Sequence, residues 1–435
     1  MSRILVYTTP ARGHLFPVTP IMDELHSRGH NIALRTLASE VPLMRERGFD
    51  AAPIDRTIEQ IPINDYLGRT PLDAQKRAMQ AFCERARFDA VDLQTAIETF
   101  NPDALLIDIN AWGALTAAEK WGGPWAAWCP YPLPVPSRDV PPFGPGLRPK
   151  SGPVGWLRDA ILGPVFLGAL ERIVAPRINE VREQLDMPPL KGAAEMFGRP
   201  PLLLYLTAEP FEYPRSDWPS NVHMVGPCDW DPPADPPPWL DEVDQPIVLV
   251  TTSSEFQDDG RLVRCALEAL ADEDVYVVAT LPSENANDIT APANARVFSF
   301  LPHTPILKRA ACAVTHAGMG ATQKALAHGV PVCAVPFGRD QLEVARRVEV
   351  AHAGTRLAAS RLRPDRLREA VREALGRAEG AKRVAAAFAA AGGPTAAADA
   401  FEALDKALRA RAARGEREVF AGRDDQDAPH RLDRQ

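Results

Sequence analysis

Short apolar runs alternate with helical stretches along almost the whole chain, and the alternation stops once, at a proline cluster, before it restarts. No other feature constrains the fold as much. A strand that is apolar on both faces must be covered on both sides. Helices between successive strands supply that cover, and the product is a parallel sheet. In the first half, residues 3–9, 32–36, 51–54, 104–109, 125–128 and 202–207 read as strands. Helical spacing runs over 17–28, 41–47, 72–100, 112–121 and 156–185. In the second half, strands at 247–252, 275–280, 296–300, 311–316 and 332–337 are separated by helices at 260–271, 306–310, 320–328 and 341–351. Helices then follow over 363–375 and, rich in alanine, over 381–410.

The 43 prolines, about twice the usual frequency, mark the seams. Residues 130–153 hold too much Pro and Gly for a helix or a central strand. A loop of that length in a compact domain is functional or disordered. Residues 226–240 (GPCDWDPPADPPPWL) are short, acidic and stiff, as an interdomain linker would be. The expected organisation is therefore two doubly wound, Rossmann-like α/β lobes, 1–225 and 241–410, with 226–240 between them and 411–435 as a disordered tail.

Composition narrows the function classes. A chain of 435 residues with 46% hydrophobic and 24% charged residues reads as globular and soluble, with two large domains the economical division. No run of about 18 apolar residues is present, so no membrane span is expected. The net charge of -8 argues against non-specific nucleic-acid binding. The N-terminus enters a strand directly, without a signal-peptide core. The 6 cysteines form no C-x-x-C pair and read as reduced thiols of a cytoplasmic protein.

Doubly wound lobes bind ligands at the carboxyl ends of their strands. His14 follows Gly13 just after the first strand. The positive end of a helix there disfavours imidazolium, and a neutral ring suits a general base that removes a proton from a hydroxyl. The bland alternative is a turn histidine that caps the helix. Asp108 ends the strand at 104–109, where it can hydrogen-bond the far imidazole nitrogen and fix the tautomer; otherwise it caps the helix at Trp112. After the strand at 311–316, His316, Gly318 and Gly320 lead into a helix. Glycines let backbone approach a ligand, and free N–H groups bind phosphate. Asp340 and Gln341 open a later helix, where an acid and an amide can bind vicinal hydroxyls. Ser253 and Ser254 are phosphate donors or ordinary helix caps. Phe82, Phe88, Trp112 and Phe143 make an apolar wall or are simply core. No D-x-D metal element lies near these motifs, and no metal ligand is expected.

Taken together, these motifs resemble family 1 glycosyltransferases of the GT-B fold, of the actinobacterial type that decorates macrolides, polyketides and other natural products. The resemblance covers nearly the whole chain, to about Leu408. It rests on Thr9, Gly13, His14 and Pro17 as T-x-x-x-G-H-x-x-P, and on Phe300-Leu301-Pro302-His303, His316-Ala317-Gly318 and Asp340-Gln341. It implies two facing lobes, the first for the acceptor and the second for the nucleotide sugar. It also implies an inverting, metal-independent hexosyltransferase that moves a sugar from a UDP- or dTDP-sugar to a hydroxyl of a small lipophilic acceptor. In that family His14 would be the base and Asp108 its orienting partner. The donor would be held by Ser253, Ser254, Phe300, Leu301, His303, His316, Gly318, Met319, Gly320, Ala321, Asp340 and Gln341, and the acceptor by Phe82, Trp112 and Phe143. No cofactor is expected beyond the nucleoside diphosphate sugar, and the chain would act as a monomer or homodimer without nucleic acid. One residue departs from the pattern. Lys324 stands eight residues after His316, where many UDP-glucose users carry a glutamate for the ribose. A lysine there would meet a phosphate or point to solvent, which leaves dTDP-sugars open. A sugar-nucleotide 2-epimerase and a non-catalytic partner subunit are the rival readings. A dinucleotide oxidoreductase is disfavoured because residues 10–14 lack G-x-G-x-x-G. The acceptor, the sugar and the bonded atom (O, N, S or C) stay open.

Overall fold

The computed structural model describes residues 1–413. The first lobe carries β1 (Arg3–Tyr7), β2 (Asn31–Thr36), β3 (Asp50–Pro53), β4 (Ala104–Asp108), β5 (Trp125–Cys129), β6 (Leu203–Tyr205) and β7 (Val222–Met224). The second carries β8 (Ile247–Thr251), β9 (Tyr276–Thr280), β10 (Ala295–Phe298), β11 (Ala310–Thr315), β12 (Val332–Ala334) and β13 (Gly354–Arg356). The strand orders are β3-β2-β1-β4-β5-β6-β7 and β10-β9-β8-β11-β12-β13. Every pairing is parallel.

Why both faces are covered can be read along β1. Ile4 and Val6 enter one core with Leu15, Val18, Ile21, Met22 and Leu25 of the helix Arg12–Ser27. Leu5 and Tyr7 enter the opposite core with Ala86, Ala90 and Leu93 of the helix Pro71–Phe100. In β8, Val248 and Val250 face one core while Ile247 and Leu249 face the other. Fully buried Leu and Ile side chains contribute about 1.5–3 kcal/mol each, so an apolar strand is stable only in such a sandwich.

In both sheets the strand order reverses at the first strand, between β1 and β4 and between β8 and β11. Loops leave such a junction in opposite directions and open a crevice. His14 follows β1 and Asp108 ends β4; Ser253 follows β8 and His316 follows β11. These candidate residues therefore sit at the two switch points.

Several elements differ from the sequence reading. The first helix starts at Arg12 and holds Pro17 and Pro20 within it. Each proline costs only one backbone bond, to the carbonyl four residues earlier, and the buried stripe that begins at Leu15 holds the helix together. β7 and β13 have 3 residues each, too short for an apolar run to announce them. The alanine-rich stretch breaks at Gly392 and Gly393, whose φ values of +89° and +56° favour glycine. Past the break, the helix Gly393–Ala413 leaves the second lobe and buries Ala397, Ala398 and Phe401 in the core of the first. Chain order alone had put it in the second lobe. Residues 414–435, most of the stretch read as a tail, lie outside the described residues. The six cysteines are free thiols. Among the described residues no helix is long and apolar enough to cross a membrane.

Candidate active site

Asp108 is fully buried at the end of β4 and is ringed by donors. Its Oδ2 accepts the Thr9 N–H at 2.9 Å, and its Oδ1 accepts the Asn110 N–H at 2.9 Å. The same Oδ1 lies 2.8 Å from Nδ1 of His14, in the first turn of the helix Arg12–Ser27. With Nδ1–H donated to Asp108, Nε2 keeps its lone pair, and Nδ2 of Asn110 lies 3.3 Å from it. The Tyr131 hydroxyl donates to Oδ1 of Asn110 at 2.8 Å and so turns the amide N–H toward the imidazole. These contacts fix the ring's orientation and aim Nε2 away from Asp108.

The helix Trp112–Trp121 has no side-chain cap, so Asp108 does not serve that role. The expectation that a helix N-terminus holds His14 low also needs correction. Burial pulls its pKa down, but the charge and hydrogen bond of Asp108, with Glu255 and Asp340 farther off, carry the net above the ordinary 6.5. A full carboxylate charge at 2.8 Å outweighs the partial charge of a helix end.

Across the cleft, β11 runs into His316, Ala317 and Gly318, then into the helix Met319–Ala327. The leading N–H groups of that helix have no side-chain cap. A Cβ on Gly318 would lie 2.2 Å from Nε2 of His316, so only glycine lets the ring fold over this turn. A Cβ on Gly320 would meet nothing within 4 Å, because that position faces open space. Burial lowers the His316 pKa to about 4. The Thr251 backbone bonds to the ring, which lines the cavity in its neutral form.

The remaining expected donor residues line the same cleft but differ in availability. Ser254 is exposed, whereas the Ser253 hydroxyl already accepts from Gln257 Nε2 at 2.7 Å and from the Glu255 N–H at 3.1 Å. Asp340 faces the cavity, and burial raises its pKa against the pull of Arg339, His14 and Arg347. Gln341 spends its amide inside the protein. It accepts from the N–H groups of Phe337 (2.7 Å) and Gly338 (3.0 Å) and donates to Gln257 at 2.6 Å. Gln341 therefore shapes its loop, whereas the Ser253 hydroxyl only accepts and keeps its O–H to donate. His303 lies 3.1 Å from the Thr280 hydroxyl, with burial pushing its pKa down to about 4. Phe300, 56% exposed, and Leu301 form the rim beside it. Lys324, 12% exposed, is turned to the linker. Its Nζ is bound by Asp231 at 2.7 Å, Asp229 at 2.8 Å and the Trp230 carbonyl at 2.7 Å. The acidic linker passes directly over it and takes its charge.

On the wall expected for the acceptor, Phe82 and Trp112 pack at 5.3 Å between centroids, and Phe143 of the proline-rich loop lines the same cavity. Phe88 packs against the core of the first lobe instead. Ile63, Tyr66, Met79 and Phe166 extend the apolar wall. Asn110, Tyr131 and an interlobe bridge were not foreseen. In that bridge Arg339 contacts Asp65 of the first lobe at 2.9 and 3.1 Å and Glu255 at 2.8 Å. Arg339 directly precedes Asp340 and Asn110 lies two residues past Asp108, but nothing local names their partners. The whole cleft encloses about 1570 Å³, more than a single small-molecule pocket of about 300–1,000 Å³. There is room for two substrates. Among the described residues no group of three or more His, Cys, Asp or Glu could hold a metal ion.

Residues 264–404 match the C-terminal domain of erythromycin biosynthesis protein CIII-like proteins. The 4'-demethylrebeccamycin synthase of Lentzea aerocolonigenes is 35% identical over 393 residues, which cover 86% of this chain and 92% of the relative. The chain belongs to the glycosyltransferases of natural-product biosynthesis. The crystal structure of the kitacinnamycin glycosyltransferase superposes on this glycosyltransferase with a TM-score of 0.69 at 25% identity, covering 93% of this chain and 100% of that one. That of the glycosyltransferase VinC, in complex with dTDP, gives 0.67 at 20% identity, covering 93% and 100%. The glycosyltransferase thus has the GT-B fold, and its family uses a sugar-nucleotide donor.

Proposed function

We propose that this glycosyltransferase moves a hexose from a UDP- or dTDP-sugar to a hydroxyl of a small apolar acceptor by direct, inverting displacement. The observation that carries the reading is a cleft with a carboxylate-held imidazole on one wall and a neutral imidazole beside open helix N–H groups on the other. The acceptor hydroxyl takes the place of the Asn110 amide at Nε2 of His14. Its oxygen bonds to the anomeric carbon as the bond from that carbon to the diphosphate oxygen breaks. The hydroxyl proton passes to Nε2, and Asp108 stabilises the imidazolium. Charge on the departing diphosphate is met by His316, the N–H groups of Met319, Gly320 and Ala321, and the Ser254 hydroxyl.

Asp340 is placed to accept from sugar hydroxyls. Phe300, Leu301 and His303 flank the nucleobase, and Phe82, Trp112 and Phe143 hold the acceptor. The first lobe takes the acceptor and the second the sugar nucleotide, which is the only co-substrate required. VinC binds dTDP, and here Lys324 is neutralised by the linker rather than offered to the nucleotide; both favour a dTDP-sugar.

The nucleoside diphosphate is tested by thermal denaturation. A ligand bound only by the folded chain raises Tm with the logarithm of its concentration. TDP should raise Tm more than UDP at equal concentration, and equal or reversed shifts would remove the dTDP preference. Gly318→Ala drives the His316 ring aside and is expected to weaken TDP binding about tenfold, the worth of one charge-assisted hydrogen bond. Calorimetry reads this directly, and an unchanged Kd would dismiss His316 as a phosphate contact.

A further inference from the structure

The proline-rich loop between β5 and the helix Pro153–Gln184 is tied at two places, to two different lobes. Its early part is bound at home. Asp217 accepts from the Ser137 hydroxyl at 2.8 Å and from the Arg138 N–H at 2.8 Å, and Asp139 accepts from the Ser216 N–H at 2.6 Å. Its tip is held from across the cleft. Glu343, in the first turn of the helix Gln341–Val350, is 3% exposed. One carboxylate oxygen, Oε1, accepts the N–H groups of both Gly144 (2.8 Å) and Gly146 (2.9 Å). Arg346 Nε donates to the Gly146 carbonyl at 2.8 Å.

The approach is close enough to require glycine. Gly146 has a φ of +59°, and a Cβ there would lie 2.3 Å from the Leu342 carbonyl oxygen. Nor can Glu343 swing away freely. Its Oε2 accepts from Arg347 at 3.0 Å, and Arg347 is gripped in turn by Glu212 through two further bonds. The same helix opens at Gln341, beside Asp340, which faces the cavity. The loop tip brings Phe143, Gly144 and Pro145 to that cavity. A single helix thus touches the nucleotide-sugar end of the cleft and suspends one wall of the other end.

We propose that Glu343 is a positioning residue that hangs the acceptor wall at Phe143 from the nucleotide-binding lobe, so that an interlobe bond sets which acceptors fit. The inference rests on the reading above that Phe143 faces the acceptor. A loop so rich in proline and glycine makes few backbone bonds of its own, and two charge-assisted bonds to one carboxylate dominate the placement of its tip. When the lobes part, the tip must follow the second lobe or break both bonds. The acceptor wall is therefore complete only while the lobes are closed.

The test uses the full chain and its Glu343→Gln and Gly146→Ala variants. The second leaves every charge in place and displaces the loop by sterics alone, so it serves if the first fails to fold. Amide hydrogen exchange should quicken at Gly144 and Gly146 by about tenfold in either variant, the worth of about one charge-assisted bond. Binding of 2-naphthol, an aromatic acceptor probe followed by tryptophan fluorescence, should weaken by about as much, while TDP affinity stays within about twofold. Unchanged exchange or unchanged naphthol affinity in a folded variant overturns the inference. So does a parallel loss of TDP binding, which would make Glu343 part of the donor cradle. A parent chain that does not bind 2-naphthol strikes instead at the apolar-acceptor reading on which the inference rests.

Discussion

His14→Ala is expected to lower turnover by about a thousandfold, the middle of the range for loss of a general base, with TDP affinity unchanged. The side chain is 15% exposed and contacts only the site residues Asp108, Asn110 and Tyr131, so the variant should fold. The pH profile is the sharper part of the expectation. Only a neutral ring accepts a proton, so kcat/KM must rise with pH as the free enzyme's His14 loses its proton. Asp108 lifts that titration above the ordinary 6.5, so the acid limb should fall above pH 6.5. Asp108→Asn removes the largest raising influence while burial still pulls the pKa down. The limb should move to lower pH while the plateau falls, because the imidazolium formed in the reaction is no longer stabilised. A plateau that survives Asp108→Asn, or a limb that does not move, would mean that the carboxylate does not act on the base. Full activity in His14→Ala would end the proposed chemistry altogether.

Glu212→Gln is expected to destabilise the chain by about 3 kcal/mol, the low end for breaking a buried ion pair, because Glu343 still binds Arg347. Glu212 is 0% and Arg347 2% exposed. Their guanidinium and carboxylate are joined at 2.8 and 3.1 Å, the Tyr205 hydroxyl donates to the same carboxylate, and Arg347 also binds Glu343. Burial raises the Glu212 pKa, but Arg347, Arg215 and Tyr205 lower it by more, and the net lies below the ordinary 4.5. A carboxylate held low contributes stability that is present above its unfolded value of about 4.5 and is lost as pH falls toward its folded value. The parent should therefore weaken on acidification below about pH 4.5, and the Gln variant should show less of that loss because the titrating group is gone. Denaturant unfolding at pH 7 and pH 4 measures both. A variant as stable as the parent at pH 7 would show that the two lobes are held together by other contacts.

The sequence by itself determined the alternation that makes two parallel sheets and the residues at the ends of their switch-point strands. His14, Asp108, His316 and Gly318 were legible because each follows directly from where an apolar strand stops, and strand ends are set by local composition. The glycines were legible for a related reason, since a missing Cβ is a local fact with a local steric use. What only the tertiary structure decided is the set of partners. Asn110 and Tyr131 meet His14 because β1, β4 and β5 lie near one another at one edge of the cleft. Lys324 is claimed by Asp229 and Asp231, Arg339 by Asp65, and Glu343 by Gly144 and Gly146, through contacts between residues roughly ninety to three hundred positions apart. The helix Gly393–Ala413 returns to the first lobe for the same reason. Local pattern sets which face of an element is apolar, but a buried charge takes whichever opposite charge the docking of the lobes brings within reach, and that choice is made only when distant segments pack.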